Sequence, residues 1–429
     1  MAKFRFVSCA GSGHCDFGGM SFVRMARELM DRGHAVEWVF SRTPYDIPYR
    51  EVMSVMRRHG IQVDTSERFY LSVAEHDEDL GASTAAFRSY LSSRDDDCLV
   101  VDRNCVGAGF AAHAARVPWA VVGTDGREWT HQWFGLNRKL VPTPGTVPEV
   151  ASLASSLCHE GFPAPGRRSF VATSPFLNIS FLPRALYDDG TGESIPACSH
   201  FLGAGPVPDT LKSRDKLLIT FGNTFAFPVR LRLLRLLRPL IISRSIPTLV
   251  LTGRGHTEPY RDILRDVPSA TIAEWMPYDE AFREARVVIG HGGNAYIWHG
   301  LLAGSPMLAV PWYQGDQHYG SLQLQRLQVG NAVPVSMLPG LSRAWRQLCM
   351  RIPSRITKRM ANASYRLNGT RLLDQLQELL ADDAVLETCS NYSSLMRSGG
   401  GVEAGASLLE RLAREKAHVS TCGTAACCC

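Results

Sequence analysis

The sequence predicts an α/β protein of two doubly wound domains, each built on a parallel sheet, with the sheets facing a cleft. Three observations predict it. Short apolar runs alternate with helical patterns from Lys3 to Gly123, and the alternation restarts at Lys216; such alternation implies βαβ units and parallel strands. A chain of 429 residues exceeds the size at which one hydrophobic core keeps growing, so two domains are the default. The stretch Gly203–Asp215, GAGPVPDTLKSRD, has the composition of a linker between them. The expected division is a first domain over 1–203, a linker over 204–215, a second domain over 216–395, and a Cys-containing tail over 396–429, part helical and part disordered.

Each element follows from its residues. Lys3–Ala10 is an apolar strand running straight into Gly11-Ser12-Gly13, without the long apolar region or cleavage site of a signal peptide. Gly19–Gly33 is an amphipathic helix, with Phe22, Met25, Ala26 and Leu29 at i, i+3, i+4 and i+7. Strands follow at Ala35–Phe40 and, briefly, from Gln62–Val63. Cys98–Asp102 is a buried strand, then a helix near Gly107–Ala115 and a strand at Trp119–Gly123, which completes a Rossmann-like pattern. Between Asp125 and Pro183 the regular pattern gives way to Pro, Gly, Trp and Phe, with one strand at Leu177–Phe181.

The second run reads strand Leu217–Phe221, helix Pro228–Ser243, strands Thr248–Thr252 and Thr271–Trp275, a helix near Asp279–Glu284, and strand Val287–Gly290. A turn His291-Gly292-Gly293-Asn294 then opens a helix to Leu302, followed by Gly304-Ser305-Pro306, strand Met307–Val310 and a polar loop ending at Asp316-Gln317. Helical patterns recur at Arg343–Met360, at Arg371–Leu386 and beyond Gly399.

Composition excludes several classes. Apolar residues at 45% and charged residues at 20% are ordinary for a soluble globular protein. A net charge of +5 without a basic stripe interleaved with aromatics argues against nucleic acid. No apolar run approaches about 18 residues, so no stable membrane insertion is expected. Twelve cysteines without CxxC pairs fit reduced thiols and a cytoplasmic location. Cys427-Cys428-Cys429 has no CaaX box and reads as tail. No feature sets an oligomeric state.

The His-Gly-Gly turn carries most of the chemistry. A glycine turn that opens a helix presents free backbone N–H groups at the positive end of the helix dipole, which suits a phosphate. Asp316 and Gln317 offer acceptors and donors to a polyhydroxylated ligand. Phosphate at one end and hydroxyls at the other describe a nucleotide sugar.

The run from Trp275 to Gln317 also resembles the donor-site signature of family 1 glycosyltransferases. Trp275 and Pro277, His291 and Gly293, Gly304 and Pro306, Pro311, and Asp316-Gln317 match that signature at fixed offsets. Three positions depart from it: His299 stands where the family carries a ribose-binding Glu, the loop from Pro311 to Asp316 is one residue longer, and Gly320 replaces an Asn. The resemblance implies the two-domain GT-B fold, with C-terminal helices returning to the first domain, and a UDP- or dTDP-sugar as co-substrate with no separate cofactor.

Roles follow from chemistry and resemblance together. His14, in the Gly-His turn after the first strand, is the candidate general base, since an imidazole titrates near neutral pH; helix capping is its plainer role. Asp102, at a strand end, is the candidate orienting carboxylate, and Asp16 competes for that task. His291 would donate to the diphosphate, with Gly292, Gly293, Asn294 and Ala295 supplying backbone N–H groups. Asn223 and Thr224 could also reach the phosphates. The resemblance stacks Trp275 on the nucleobase, puts Asp316 and Gln317 on the sugar hydroxyls, and leaves His299 either on the ribose or structural. Trp129, Trp133 and Phe134, beside His131, offer flat apolar faces to an acceptor or serve ordinary packing.

Asp95-Asp96-Asp97 precedes a strand and reads as a solvated turn, so no metal site is expected. The reading is an inverting, metal-independent transferase acting on a hydroxyl of a small apolar acceptor. Its rivals are a lipid-acceptor transferase using the basic side of Val229–Arg238 at a membrane surface, a nucleotide-sugar epimerase of the same fold, and a non-catalytic binder. Arg230, Arg232, Arg235 and Arg238 are all expected on the solvated side of that helix.

Overall fold

A computed structural model describes residues 1–9, 21–41, 49–66, 69–71, 80–103, 105–123, 174–187, 197–206, 214–220, 227–253, 257–311, 315–333, 335–336, 366–417 and 419. These fall into two compact units. The first is built from described residues within Met1–Gly135, Thr143–Val207 and Arg397–Cys429, and the second from those within Pro208–Met396.

The first unit runs β1 (Lys3–Cys9), α1 (Ser21–Asp31), β2 (Ala35–Ser41), α2 (Tyr49–Arg58), β3 (Gln62–Val63), α3 (Leu80–Ser92), β4 (Cys98–Asp102), α4 (Val106–Ala114), β5 (Trp119–Gly123), β6 (Leu177–Ser180), α5 (Arg184–Tyr187) and β7 (Ser199–Phe201). Its strands form a parallel sheet in the order β3-β2-β1-β4-β5-β6-β7. Both faces of a parallel sheet are covered, so its strands read as unbroken apolar runs. Side chains alternate between the faces with period two: Phe4 and Phe6 enter one core with Trp38, Met25 and Leu29, and Val7 enters the other with Phe87, Phe110 and Trp119.

The Asp95–Asp97 run is only in part the solvated turn expected from sequence: Asp95 is exposed, but Asp96 is not. The Asp96 side chain is buried and ion-paired to the fully buried Arg5 at 2.6 Å, while Asp97 accepts from the Lys3 backbone N–H at 2.9 Å. Arg5 lies within a strand that is itself inside the sheet, and a charge there requires a paired carboxylate.

The second unit runs β8 (Lys216–Thr220), α6 (Phe227–Arg244), β9 (Thr248–Leu251), α7 (Glu258–Leu264), β10 (Ala270–Ala273), α8 (Tyr278–Arg283), β11 (Ala285–Gly290), α9 (Asn294–Ala303), β12 (Met307–Ala309), α10 (Gly315–Arg326), β13 (Gly330–Ala332), β14 (Val335–Ser336), β15 (Arg366–Leu367), α11 (Gly369–Ala381) and α12 (Asp383–Arg397). Its main sheet is also parallel, in the order β10-β9-β8-β11-β12-β13. The two sheets therefore share the doubly wound order 3-2-1-4-5-6, counted within each unit.

The single helix expected over Arg371–Leu386 is two. Asp382 has an extended backbone, and its carboxylate accepts from the Ala384 and Val385 N–H groups at 3.0 and 3.1 Å, capping α12. The helix expected over Arg343–Met360 lies outside the described residues. The final helix, α13 (Gly401–Glu415), returns to the first unit, where Leu409 and Leu412 join the core of Phe4 and Phe6. Arg32 and His34 fasten it through Glu410 at 3.0 and 2.8 Å. Among the described residues no helix is long and apolar enough to cross a membrane.

Candidate functional site

The site grows from β11, whose last four residues Val287–Gly290 are buried, and from the turn that follows it. Gly292 has φ +80°, a left-handed conformation that costs other residues about 1–2 kcal/mol. A Cβ there would also lie 2.7 Å from the Gln317 carbonyl and 2.9 Å from the Ser321 hydroxyl. Gly293 is the N-cap of α9 in extended geometry, and no side chain caps the helix. The first amides of α9, from Asn294 and Ala295 onward, thus have no intrahelical acceptor and sit at the positive end of the helix dipole.

The turn is clamped from outside by α10. A Cβ on Gly320 would run into the Gly292 carbonyl oxygen and come within 2.5 Å of Ile297. The departure at Gly320 therefore has a steric reason: in this chain the helix approaches the turn too closely for any side chain. Asp316 and Gln317, expected at the end of a loop, instead lie in the first turn of α10. Gln317 is fully buried, and its carbonyl accepts from the Ser321 hydroxyl at 2.7 Å.

His291 packs against the turn, its Nε2 only 2.5 Å from where a Cβ on Gly293 would stand. Its Nδ1 is buried and has no hydrogen-bond partner among the described residues. Burial first, and the positive charge of Arg230 second, push the imidazole down to about 4. Near neutral pH the ring is therefore uncharged and acts by hydrogen bonding, with one nitrogen a donor.

His299 is 2% exposed, boxed by the rings of Trp298, Tyr278 and Phe282 at centroid distances of 5.0, 5.4 and 5.7 Å. A carboxylate in that aromatic box would be a poorly solvated charge, which accounts for a histidine at this position. Trp275 lies past the carboxyl end of β10 and is 56% exposed, one of few large apolar side chains left open among the described residues.

In the first unit Asp102 ends β4, 4% exposed, with its carbonyl accepting from the Cys105 N–H at 2.8 Å. The pairing of Val101 with Val7 puts it at the carboxyl end of β1, the strand that leads to His14. His14, Asp16, Asn223, Thr224, Trp129, His131, Trp133 and Phe134 lie outside the described residues, as does the side chain of Asp316. No cluster of three or more His, Cys, Asp or Glu suited to a metal occurs among the described residues.

One residue escaped the sequence reading. Arg230, expected on the solvated side of α6, is 6% exposed and donates from Nη1 to the Thr252 carbonyl at 3.0 Å. The signal was present: Arg230 precedes Leu233, Leu234, Leu237 and Ile241 at i+3, i+4, i+7 and i+11, on the buried stripe. Arg232 and Arg235 are exposed, and Arg238 pairs with Asp266.

A set of solved structures shares the fold of this chain. The calicheamicin glycosyltransferase CalG4 aligns over 96% of this chain and 98% of its own, at 18% identity and TM-score 0.68. The glycosyltransferase of kitacinnamycin aligns over the same shares at 17% identity and TM-score 0.65. The spinosyn rhamnosyltransferase SpnG, complexed with thymidine diphosphate, aligns over 96% and 100% at 15% identity and TM-score 0.61. The chain has the GT-B fold. No protein-family profile matches it, and no curated protein matches it by sequence. Within a GT-B frame the His291 turn opens at the carboxyl end of the second sheet, where doubly wound sheets bind their ligands.

Proposed function

We propose that this chain is an inverting, metal-independent glycosyltransferase that moves a sugar from a UDP- or dTDP-sugar to a hydroxyl of a small apolar acceptor. The observation that carries the reading is the uncapped start of α9 with the neutral, buried-edge His291 beside it. Such a terminus stabilises the charge that grows on a departing nucleoside diphosphate. SpnG complexed with thymidine diphosphate and VinC in complex with dTDP, both of like fold, support a dTDP-linked donor. The names of calicheamicin and kitacinnamycin in two neighbours support a natural-product-like acceptor.

In this mechanism His14, oriented by Asp102, accepts the acceptor's hydroxyl proton as the oxygen attacks the anomeric carbon. The new C–O bond forms on the face opposite the diphosphate, and the old C–O bond breaks with its electron pair leaving on the phosphate oxygen. His291 and the amides of Gly292, Gly293, Asn294 and Ala295 meet that charge, joined by Asn223 and Thr224. Trp275 stacks on the base, Asp316 and Gln317 hold the sugar, and Trp129, Trp133 and Phe134 receive the acceptor. We assign the work to the cytoplasm, with the nucleotide-sugar donor and the small-molecule acceptor as partners.

A thermal-shift screen over UDP-, dTDP- and GDP-sugars tests the reading, because a ligand bound only by the native state raises its melting temperature. Stabilisation by UDP- or dTDP-sugars is expected. No shift with any nucleotide sugar would remove the assignment, and turnover of the donor without an acceptor would favour an epimerase.

A further inference from the structure

The second sheet keeps a buried cation at its ligand-binding end. Arg230 stands in the first turns of α6, yet its guanidinium reaches inward to the Thr252 carbonyl, just past the carboxyl end of β9. β9 pairs with β8, and β8 pairs with β11, whose carboxyl end carries His291. The guanidinium and the donor turn thus share one end of three adjacent strands. Arginine is the side chain of choice for ion pairs that are buried or at an interface. A planar fork of N–H donors also matches phosphate oxygens better than any other side chain does.

We propose that Arg230 is a further binding residue for the donor's diphosphate and supplies the fixed positive charge of that site; the inference rests on the donor-site reading given above. The division of labour has independent support. His291, held down by burial and then by Arg230, carries no charge near neutral pH. The same guanidinium works against the burial that raises the Tyr278 and Tyr260 phenols, so its field spreads across this end of the sheet. His291 then gives direction through a hydrogen bond, and Arg230 gives charge.

Calorimetric titration of dTDP, UDP, thymidine and uridine into the full chain tests this, with Arg230→Gln and Arg230→Lys as variants. Gln can still donate to the Thr252 carbonyl but has no charge. Arg230→Gln is expected to weaken dTDP and UDP by roughly tenfold or more, the size of one hydrogen bond to a charged group, while thymidine and uridine bind as before. Arg230→Lys should fall between Gln and wild type. Equal losses for nucleoside and diphosphate, or no loss in a folded Arg230→Gln, would overturn the proposal. Should the Gln variant not fold, the Lys variant decides, because an unchanged dTDP affinity there also overturns it. Wild-type protein that binds neither dTDP nor UDP would remove the donor site and this proposal together, whereas wild-type binding with an unaffected Gln variant removes Arg230 alone.

Discussion

In the first sheet Arg5 sits toward the amino-terminal side, fully buried, with Asp96 at 2.6 Å, Glu37 at 2.7 Å and the Tyr90 hydroxyl at 2.6 Å. Tyr90 in turn donates to Asp64 at 2.6 Å, and Arg94 pairs with the same carboxylate at 3.1 Å. In the second sheet Arg230 sits at the carboxyl end, beside the turn that opens α9. The strand order is the same in both, so topology does not decide where a buried charge goes or what it does. One arginine is surrounded by the protein's own carboxylates and locks strands together. The other stands where doubly wound sheets receive ligands. On the proposal above, the first of these buried cations is structural and the second binds the donor.

Four experiments can break or sharpen that contrast. The largest effect is expected at the carboxyl end of the first sheet. His14→Ala should slow transfer to an aliphatic alcohol by roughly 10²–10⁴-fold, the usual share of general base catalysis, with nucleotide affinity intact. A phenol acceptor, more acidic, should suffer less. Wild-type turnover on an aliphatic alcohol would dismiss the base and its partner Asp102, leaving Asp16 as the next residue to test.

Next in size is the amino-terminal side of the same sheet. Asp96→Ala leaves Arg5 short of its closest carboxylate and should cost about 3–5 kcal/mol of stability in urea unfolding, as breaking a buried pair does. Kinetics of the surviving folded fraction should be those of the wild type. A loss of donor affinity in this variant would mean that the two ends of the sheet are not separable.

A smaller effect is expected at the donor turn. His291→Ala removes a hydrogen bond to a charged ligand and should weaken dTDP or UDP binding by about 1.5–3 kcal/mol. Full affinity and full activity together would detach the donor site from this turn.

The last experiment separates the two units by acid. His291 is lowered from 6.5 to about 4, so the unfolded chain binds more protons across that window and stability falls as pH drops from 6.5 to 4. Asp64 is half-buried, which pushes it up, but Ser66 and Tyr90 prevail and hold it at about 2 against an ordinary 3.8. Its contribution is therefore complete above 3.8 and lost only below it. His291→Gln should flatten the upper window alone and Asp64→Asn the lower alone, as read by unfolding free energy against pH. A single shared window would show that the two charge systems are not independent.

Much of this was legible in the sequence for an identifiable reason. Parallel strands covered on both faces are runs of apolar residues, and Cys98–Asp102 and Trp119–Gly123 are bounded as their composition requires. The His-Gly-Gly turn was legible because left-handed geometry at Gly292 and the His291 ring against Gly293 demand glycine. What escaped was pairing across distance. Asp96 looks solvated until Arg5, far off in the chain, is brought beside it. The ring contacts of His299 with Tyr278, Phe282 and Trp298 also bring together residues that the sequence does not pair. Arg230 differs for another reason: the four arginines within 229–238 suggest one basic face, although the spacing of Arg230 to the leucines places it inside.

The return of α13 to the first unit has a consequence for synthesis. Leu409, Leu412 and Ala413 belong to the same core as Phe4, Phe6 and Leu29, so that core stays open until the chain has passed through the whole second unit. At ribosomal speeds of about 5–20 residues per second the wait is on the order of 10–40 s. During that interval the nascent protein displays an apolar face on α1 and β1, a natural target for a holdase. A chain released at the end of the second unit would keep that face for good, and its yield in soluble form should depend on chaperone supply far more than that of the full chain.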